Sequence, residues 1–256
     1  MTGGDAIARG DDRRGAAFAI GHDDDLHSDV PQRRSAPAGG AGGQVRFGVV
    51  VLAAGAGERY GATKPLATVR DRPLVAHAIA TALEAGADPV VVVVGHDAER
   101  VAAAARAAAR AAAVPHGGGR GEGVTNAAYR SGQASSLVAG IRSLRPHHDV
   151  EVAVVLLADQ PGVSPAAVRA VAAALGQVRG PGGARPDAAR ASYADGLGHP
   201  VAFRRPAWAR LRSLTGDAGA RHLLEDLEVV HVRVPDTVPV DVDTPDDLRR
   251  LRADGK

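Results

Sequence analysis

Three runs of aliphatic and β-branched residues, Phe47 to Ala53, Val90 to Val94 and Val152 to Leu157, contain no charged side chain. A strand that is apolar along its whole length, with no polar alternation, must be covered on both faces. The segments between the runs have helical character. Pro73 to Ala85 offers Leu74, Ala78 and Ala82, or His77, Ala80 and Leu83, as an inner face, and Gly86 stops it. Asp97 to Ala113 is rich in alanine, with Arg100, Arg106 and Arg110 spread along it, and Ser135 to Leu144 is a further helical stretch. A strand, a helix and a second strand in the same sheet form a right-handed, parallel unit. Repeating that alternation predicts an α/β fold: a doubly wound, mostly parallel sheet with helices on both faces. With 256 residues, the chain is long enough for one such domain with a full core.

The flanks read differently. Residues 1–46 mix Gly, Arg, Asp, Ser and Pro without apolar periodicity and are expected to form a disordered leader, leaving 47–253 as the folded domain. Residues 116–125 read as a loop with room for a short strand before Asn126. Ser164-Pro165 should cap a helix running to about Leu175, and the Gly-, Pro- and Arg-rich residues 176–187 should be mobile. Ala188 to Tyr193 and His199 to Phe203 are strand candidates joined by a turn. Asp217 to Arg221 leads into a short helix ending near Asp226, and Val229 to Val234 is another strand. Thr244-Pro245 starts a final helix.

Bulk properties narrow the function. A net charge of +2 gives no basic patch of the nucleic-acid kind, and the absence of cysteine removes disulfides, thiolate metal sites and a cysteine nucleophile. No apolar run has the length of a transmembrane helix, and the leader lacks the apolar region of a secretory signal. A cytoplasmic protein with no nucleic-acid or membrane partner is the expectation.

The first strand runs directly into Gly55-Ala56-Gly57-Glu58-Arg59-Tyr60-Gly61-Ala62-Thr63-Lys64. In an open parallel sheet, ligands bind beyond the carboxyl ends of the strands. Glycines there let backbone N–H groups approach phosphate oxygens, while Arg59 and Lys64 can neutralise their charge. The spacing is one residue too long for the dinucleotide fingerprint, and no Gly-Lys-Ser/Thr of a Walker loop is present. Of 31 basic residues only Lys64 and Lys256 are lysines. A compact ammonium on a flexible stem suits a phosphate better than a broad guanidinium fork where a point charge is needed.

Three carboxylates are candidates to hold magnesium. Asp159 stands where the third apolar run ends, and Asp241 and Asp243 flank Val242 so that in an extended segment both face one way. The alternative role for each is capping a turn or helix. The histidines show no zinc spacing; His199, in Gly198-His199-Pro200, is set apart by its place at a strand start. Ser135 and Ser136 open a helix and could hold an anion or simply cap it.

The order of these segments is more specific than any one of them. Leu52-Ala53-Ala54-Gly55-Ala56-Gly57-Glu58-Arg59-Tyr60-Gly61-Ala62-Thr63-Lys64 resembles the LAAGxSxRMGxxK signature of the MobA/MocA-like nucleotidyltransferases. The MocA-like branch is matched further by Asn126 with Gly132-Gln133-Ala134-Ser135-Ser136-Leu137, by Leu157-Ala158-Asp159-Gln160-Pro161, and by Gly198-His199-Pro200-Val201-Ala202-Phe203. Gly216-Asp217-Ala218-Gly219-Ala220-Arg221 and Asp241-Val242-Asp243-Thr244-Pro245 continue the match. The nearest resemblance is to molybdenum cofactor cytidylyltransferases. It implies a Rossmann-like fold of the GT-A nucleotidyltransferase type and magnesium-dependent transfer of CMP from CTP to a molybdopterin-type phosphate, releasing pyrophosphate, with a molybdoenzyme to receive the product. Lys64, Arg59 and Asp159 would be catalytic. Leu52, Ala53, Ala54, Gly55, Gly57, Lys64, Asn126, Ser135 and Ser136 would bind the nucleotide. Gly198, His199, Pro200, Asp217 and Arg221 would bind the acceptor, and Asp159 with Asp241 or Asp243 would bind the metal. Ala53-Ala54-Gly55 is the variant that accompanies CTP in the family. Tyr60 in place of methionine, and Glu58 beside Arg59, depart from the signature.

Other readings compete. Some MocA-like proteins carry the name nicotine blue oxidoreductase, which would make the chain an NAD(P)H-dependent oxidoreductase. The misfitting dinucleotide spacing, and a second strand closed by Gly95-His96 and not by an acidic residue, argue against it. A nucleotidyltransferase for another phosphate, or a non-catalytic molybdenum cofactor carrier, would keep the phosphate loop.

Overall fold

The computed structural model describes residues 17–20, 45–57, 59–112, 121–177, 183–216 and 220–253. Its strands are β1 (Ala17–Ala19), β2 (Phe47–Ala53), β3 (Thr68–Val69), β4 (Arg72–Pro73), β5 (Val90–Val94), β6 (Gly121–Thr125), β7 (Val152–Leu157), β8 (Ala188–Tyr193), β9 (Gly196–Arg204) and β10 (Val229–Arg233). Its α-helices are α1 (Leu74–Glu84), α2 (Ala98–Ala111), α3 (Gln133–Leu144), α4 (Pro165–Gln177), α5 (Trp208–Leu211), α6 (Arg221–Glu225) and α7 (Pro245–Ala253).

The three apolar runs are the central strands, as their composition requires. Eight strands make one sheet in the order β1-β6-β5-β2-β7-β9-β8-β10. β6, β5, β2 and β7 are mutually parallel, β9 runs against β7 and β8, and β10 is parallel to β8. Alternate residues of each central strand serve opposite cores. Val49, Val51 and Ala53 pack with α1, α2 and α4, whereas Val50 packs with α3, α5 and α6. Within α1 all of the first predicted inner face, Leu74, Ala78 and Ala82, is buried, whereas of the second only Ala80 is, and His77 is half-buried with its Nε2 2.9 Å from the Val69 carbonyl. On the other face α3 lies so close to the sheet that a Cβ on Gly140 would stand 2.3 Å from Val50 Cγ1.

The chain leaves β2 toward β5 and β6 on one side, then crosses to β7 on the other. The topological switch point therefore falls between β2 and β7, and a crevice opens beyond their carboxyl ends. No helix among the described residues is long and apolar enough to cross a membrane.

One expectation needs correcting. Three residues of the leader belong to the sheet: β1 pairs antiparallel with β6, and Ile20, which follows it, is buried. The cause is local. Phe18 and Ile20 are apolar within a polar stretch, Gly123 of β6 leaves the space that the Phe18 ring fills, and the Arg106 guanidinium covers that ring at 5.3 Å. The rest of the leader up to residue 44, and residues 178–182 of the segment expected to be mobile, lie outside the described residues, while 176–177 of that segment form the end of α4.

Candidate active site

The loop after β2 is shaped by two glycines. Gly57 and Gly61 have φ of +64° and +75°, a region that favours glycine, and the Tyr60 and Gly61 N–H groups both donate to the Gly57 carbonyl. A Cβ on Gly57 would also meet the Ala62 carbonyl at 2.8 Å. The loop ends in a single 3-10 turn, Lys64–Leu66, preceded by Thr63. Thr63 Oγ1 donates to Asp97 Oδ2 at 2.9 Å, and Arg100 Nη1 donates to the same oxygen at 2.7 Å, so the start of α2 holds the base of the lysine in place.

Two carboxylates converge on Lys64. Its Nζ donates to Asp159 Oδ2 at 2.5 Å and to Asp243 Oδ1 at 2.9 Å. Arg59, otherwise largely exposed, reaches the second oxygen of Asp243 at 3.0 Å. Asp159 comes from the end of β7. Asp243, far away in sequence, is brought beside it by backbone, since the Val242 N–H donates to the Asp159 carbonyl at 3.0 Å. A reciprocal cap then fixes the next turn: the Thr244 N–H donates to Asp247 Oδ2 at 2.8 Å and the Asp247 N–H to Thr244 Oγ1 at 3.2 Å. Burial works against the Lys64 charge, but the two carboxylates outweigh it and hold the ammonium above the ordinary lysine range.

Asp241 and Asp243 do not act as a pair. Asp241 turns to Gln160, whose Nε2 donates to its Oδ1 at 2.8 Å. Burial, together with the nearby Asp159 and Asp243 charges, raises its pKa despite that hydrogen bond. Strict alternation in an extended segment would have aimed both aspartates at one target, but each has found its own partner.

These groups border a cleft of about 700 Å³ at the switch point. Leu52, Ala53, Ala54, Gly55, Gly57, Arg59, Lys64, Ser136, Asp159 and Asp243 all line it. Asn126 and Ser135 stand behind the lining. The Asn126 Nδ2 donates to Ser135 Oγ at 2.8 Å and Ser136 Oγ at 3.0 Å, and its Oδ1 accepts from the Ala128 N–H, which ties the end of β6 to the start of α3. Tyr129, Gly132 and Gln133 line the cleft as well. Gln133 adjoins the serines in sequence and could have been read with them; Tyr129 carries no such signal.

A smaller pocket of about 110 Å³ shares Leu52, Gln133 and Leu157 with the cleft. His199 and Arg221 border it, whereas Gly198 and Pro200 are buried beside them and Asp217 lies outside the described residues, as does Glu58. The His199 Nδ1 faces the Val155 carbonyl at 3.4 Å, and burial lowers its pKa to about 4, so the ring is neutral at pH 7. The Tyr193 hydroxyl donates to the His199 carbonyl at 2.5 Å, and burial with the nearby Asp236 charge raises its pKa to about 12.

Comparison with known proteins gives a consistent result. The profile of the MobA-like NTP transferase domain matches residues 49–232. The nicotine blue oxidoreductase of Paenarthrobacter nicotinovorans is 34% identical, over 79% of this chain and 94% of that protein. The crystal structure of Rv0371c from Mycobacterium tuberculosis H37Rv is 31% identical with a TM-score of 0.65, covering 82% of this chain and 99% of that one. A structure of Rv0371c in complex with manganese superposes with a TM-score of 0.62 at 29% identity, with the same coverage. The 3-deoxy-manno-octulosonate cytidylyltransferase of Methylorubrum populi is 28% identical over 74% of this chain and 89% of that protein.

Proposed function

The chain belongs to the MobA-like NTP transferase family and is a nucleotidyltransferase, and we propose that it transfers CMP from CTP to the phosphate of a molybdopterin-type acceptor with the help of magnesium. The observation that carries this reading is Lys64, on the glycine loop, held between the carboxylates of Asp159 and Asp243 at the switch point of the sheet.

Two carboxylates converging on one cation are a hard-oxygen donor set, and they fit a divalent ion. Among the described residues no third Asp, Glu or His joins them in a cluster able to hold a metal, so its remaining positions would fall to phosphate oxygens and water. Asp159 and Asp243 would hold it, with Asp241 orienting Gln160. When bound, the ion supplies charge neutralisation at the triphosphate. That Rv0371c has been crystallised in complex with manganese supports the use of a divalent metal.

The chemistry needs no protein nucleophile. An oxygen of the acceptor phosphate, anionic near neutral pH, bonds to the α-phosphorus of CTP as the bond to the bridging α–β oxygen breaks and pyrophosphate leaves. The chain must align the two reactants and balance the charge of the leaving group. The Gly55–Gly57 backbone can approach the phosphates, the Lys64 ammonium can move from the carboxylates onto them, and Arg59 can follow from the rim. The small side chains of Ala53 and Ala54 leave room on the cleft wall for a base, and a cytidylyltransferase among the full-length relatives favours CTP. The domain corresponds to 47–253, with a cytoplasmic setting and a molybdoenzyme as recipient of the product.

A second reading rests on one observation, the name of the full-length relative at 34% identity. It would make the chain an oxidoreductase. β5 ends at Val94 and is followed by Gly95-His96, the next carboxylate, Asp97, accepts from Thr63 and Arg100, and the loop spacing does not suit a dinucleotide. Incubation with CTP, magnesium and molybdopterin tests both. A cytidylated product with matching pyrophosphate supports transfer. Oxidation of NAD(P)H by a quinonoid dye, independent of nucleotide triphosphate and metal, would establish the rival.

A further inference from the structure

The small pocket beside the cleft contains an unbalanced pair of cations. Arg190 is the one charged residue of β8, whose other members are small or aromatic, and it stands at an inner register opposite Val201. Among the described residues its Nη2 donates only to the Leu197 carbonyl, at 3.3 Å, and its buried Nε has no partner. Arg221, at the start of α6, borders the same pocket, and among the described residues neither arginine has a carboxylate partner. Burial and the charge of Arg221 both weaken the hold of Arg190 on its proton.

The neighbouring arginines show how unusual this is. Arg204 donates to the Pro186 and Arg185 carbonyls with Asp187 alongside, and Arg205 donates to three carbonyls and lies over the Trp208 ring. A buried N–H left without an acceptor is destabilising, because it has given up water and gained nothing in exchange. Two guanidiniums facing one cavity add repulsion to that cost. A ligand oxyanion would remove both penalties, because a planar fork of N–H donors matches the two oxygens of a carboxylate or phosphate.

The rest of the lining narrows the ligand. Leu137, Val201, Phe203 and Leu224 supply an apolar part of the wall, and polar groups supply about as much of it. His199 donates from Nδ1 toward Val155 and keeps Nε2 as an acceptor, suited to a hydroxyl or N–H of the ligand. The walls shared with the large cleft bring any occupant against a bound nucleotide.

We propose that Arg190 and Arg221 form the anion-recognition subsite for the acceptor, which is a compact molecule carrying a phosphate or carboxylate, a hydrogen-bond donor and an apolar body. Its role as an acceptor site rests on the nucleotidyl-transfer reading, but anion binding by the two arginines does not. The test therefore uses no nucleotide and no metal. The full chain is labelled with ¹⁵N-arginine, the Nε–H signal of Arg190 is assigned by its loss in Arg190→Lys, and inorganic phosphate and acetate are titrated separately. All titrations are repeated in Lys64→Ala to remove binding at the glycine loop. Saturable movement with phosphate assigns a phosphate-bearing acceptor, and movement with acetate alone assigns a carboxylate. In either case affinity should fall at least tenfold in Arg221→Gln, an exposed substitution that leaves the fold intact. No saturable movement with either anion, or movement unaffected by Arg221→Gln, overturns the proposal. Thermal shift with CTP and magnesium is run on the same samples. Loss of that response with the anion response intact would sink the transfer reading and leave the subsite standing.

Discussion

The two cavities handle charge in opposite ways. In the large cleft, Lys64 is satisfied by Asp159 and Asp243, and Arg59 shares the second carboxylate. In the pocket next to it Arg190 and Arg221 share one lining, with no carboxylate partner among the described residues, beside a histidine kept neutral by burial. The first arrangement is preloaded: it holds a mobile cation against anions that can accept a metal when a polyphosphate draws the lysine away. The second brings two guanidiniums to one pocket, which on the proposed reading is where the anion of the acceptor binds. Such an asymmetry suits an enzyme that must bind a metal-bound triphosphate on one side and an anionic acceptor on the other.

The largest expected effect comes from breaking the preloaded side. Lys64→Ala should lower kcat by the equivalent of about 2–4 kcal/mol if the ammonium acts as a preorganised donor to the leaving phosphates. Steady-state pyrophosphate release measures it, and an unchanged rate would remove the lysine from the chemistry. Asp159→Asn should abolish the response to divalent metal while the melting temperature stays near wild type, which calorimetry with and without magnesium can read. A collapsed melting temperature would instead make Asp159 a structural cap.

In the smaller pocket, His199 gives a pH signature. Its pKa falls from 6.5 to about 4 on folding because burial disfavours the charged ring. As pH drops through that window the unfolded chain takes up the proton first, so the stability supplied by the neutral ring is complete above about 6.5 and is lost on the way down to 4. Relative to His199→Gln, urea unfolding at pH 4.5 against pH 7.5 should show a loss of about 2 kcal/mol. A flat difference would mean that the ring is solvated and the pocket wet.

Smaller effects separate scaffold from site. Gly140→Ala should destabilise by about 1–3 kcal/mol, because the new Cβ meets Val50, without changing either substrate's KM. Thr244→Ala removes the α7 cap and should cost about 1 kcal/mol in thermal unfolding. A concurrent drop in kcat there would show that the cap also steadies Asp243.

The parallel centre of the fold was legible because its signal is local and dense: β2, β5 and β7 fall on the three apolar runs, and α1 buries the first predicted face together with Ala80 of the second. β1 was hidden since two apolar side chains were averaged into a polar leader, and only the glycine of β6 reveals why they fit. In the site, the loop and Asp159 could be placed because each directly follows a run that must be a strand. Asp243 could be nominated but not distinguished from Asp241, because the choice depends on one backbone hydrogen bond from Val242 to Asp159 across the fold. Arg190 passed unnoticed among small residues in a strand candidate, although a charge there is itself uncommon in a buried strand. Its meaning appears only with Arg221 brought to the same pocket by the chain's return.

The most direct test follows the phosphorus. With CTP labelled at the α-phosphate, magnesium and molybdopterin, the label should pass into a cytidylated acceptor in step with pyrophosphate release, and Lys64→Ala should slow both together. Label remaining in CTP while NAD(P)H is consumed in the absence of triphosphate would contradict nucleotidyl transfer at this site.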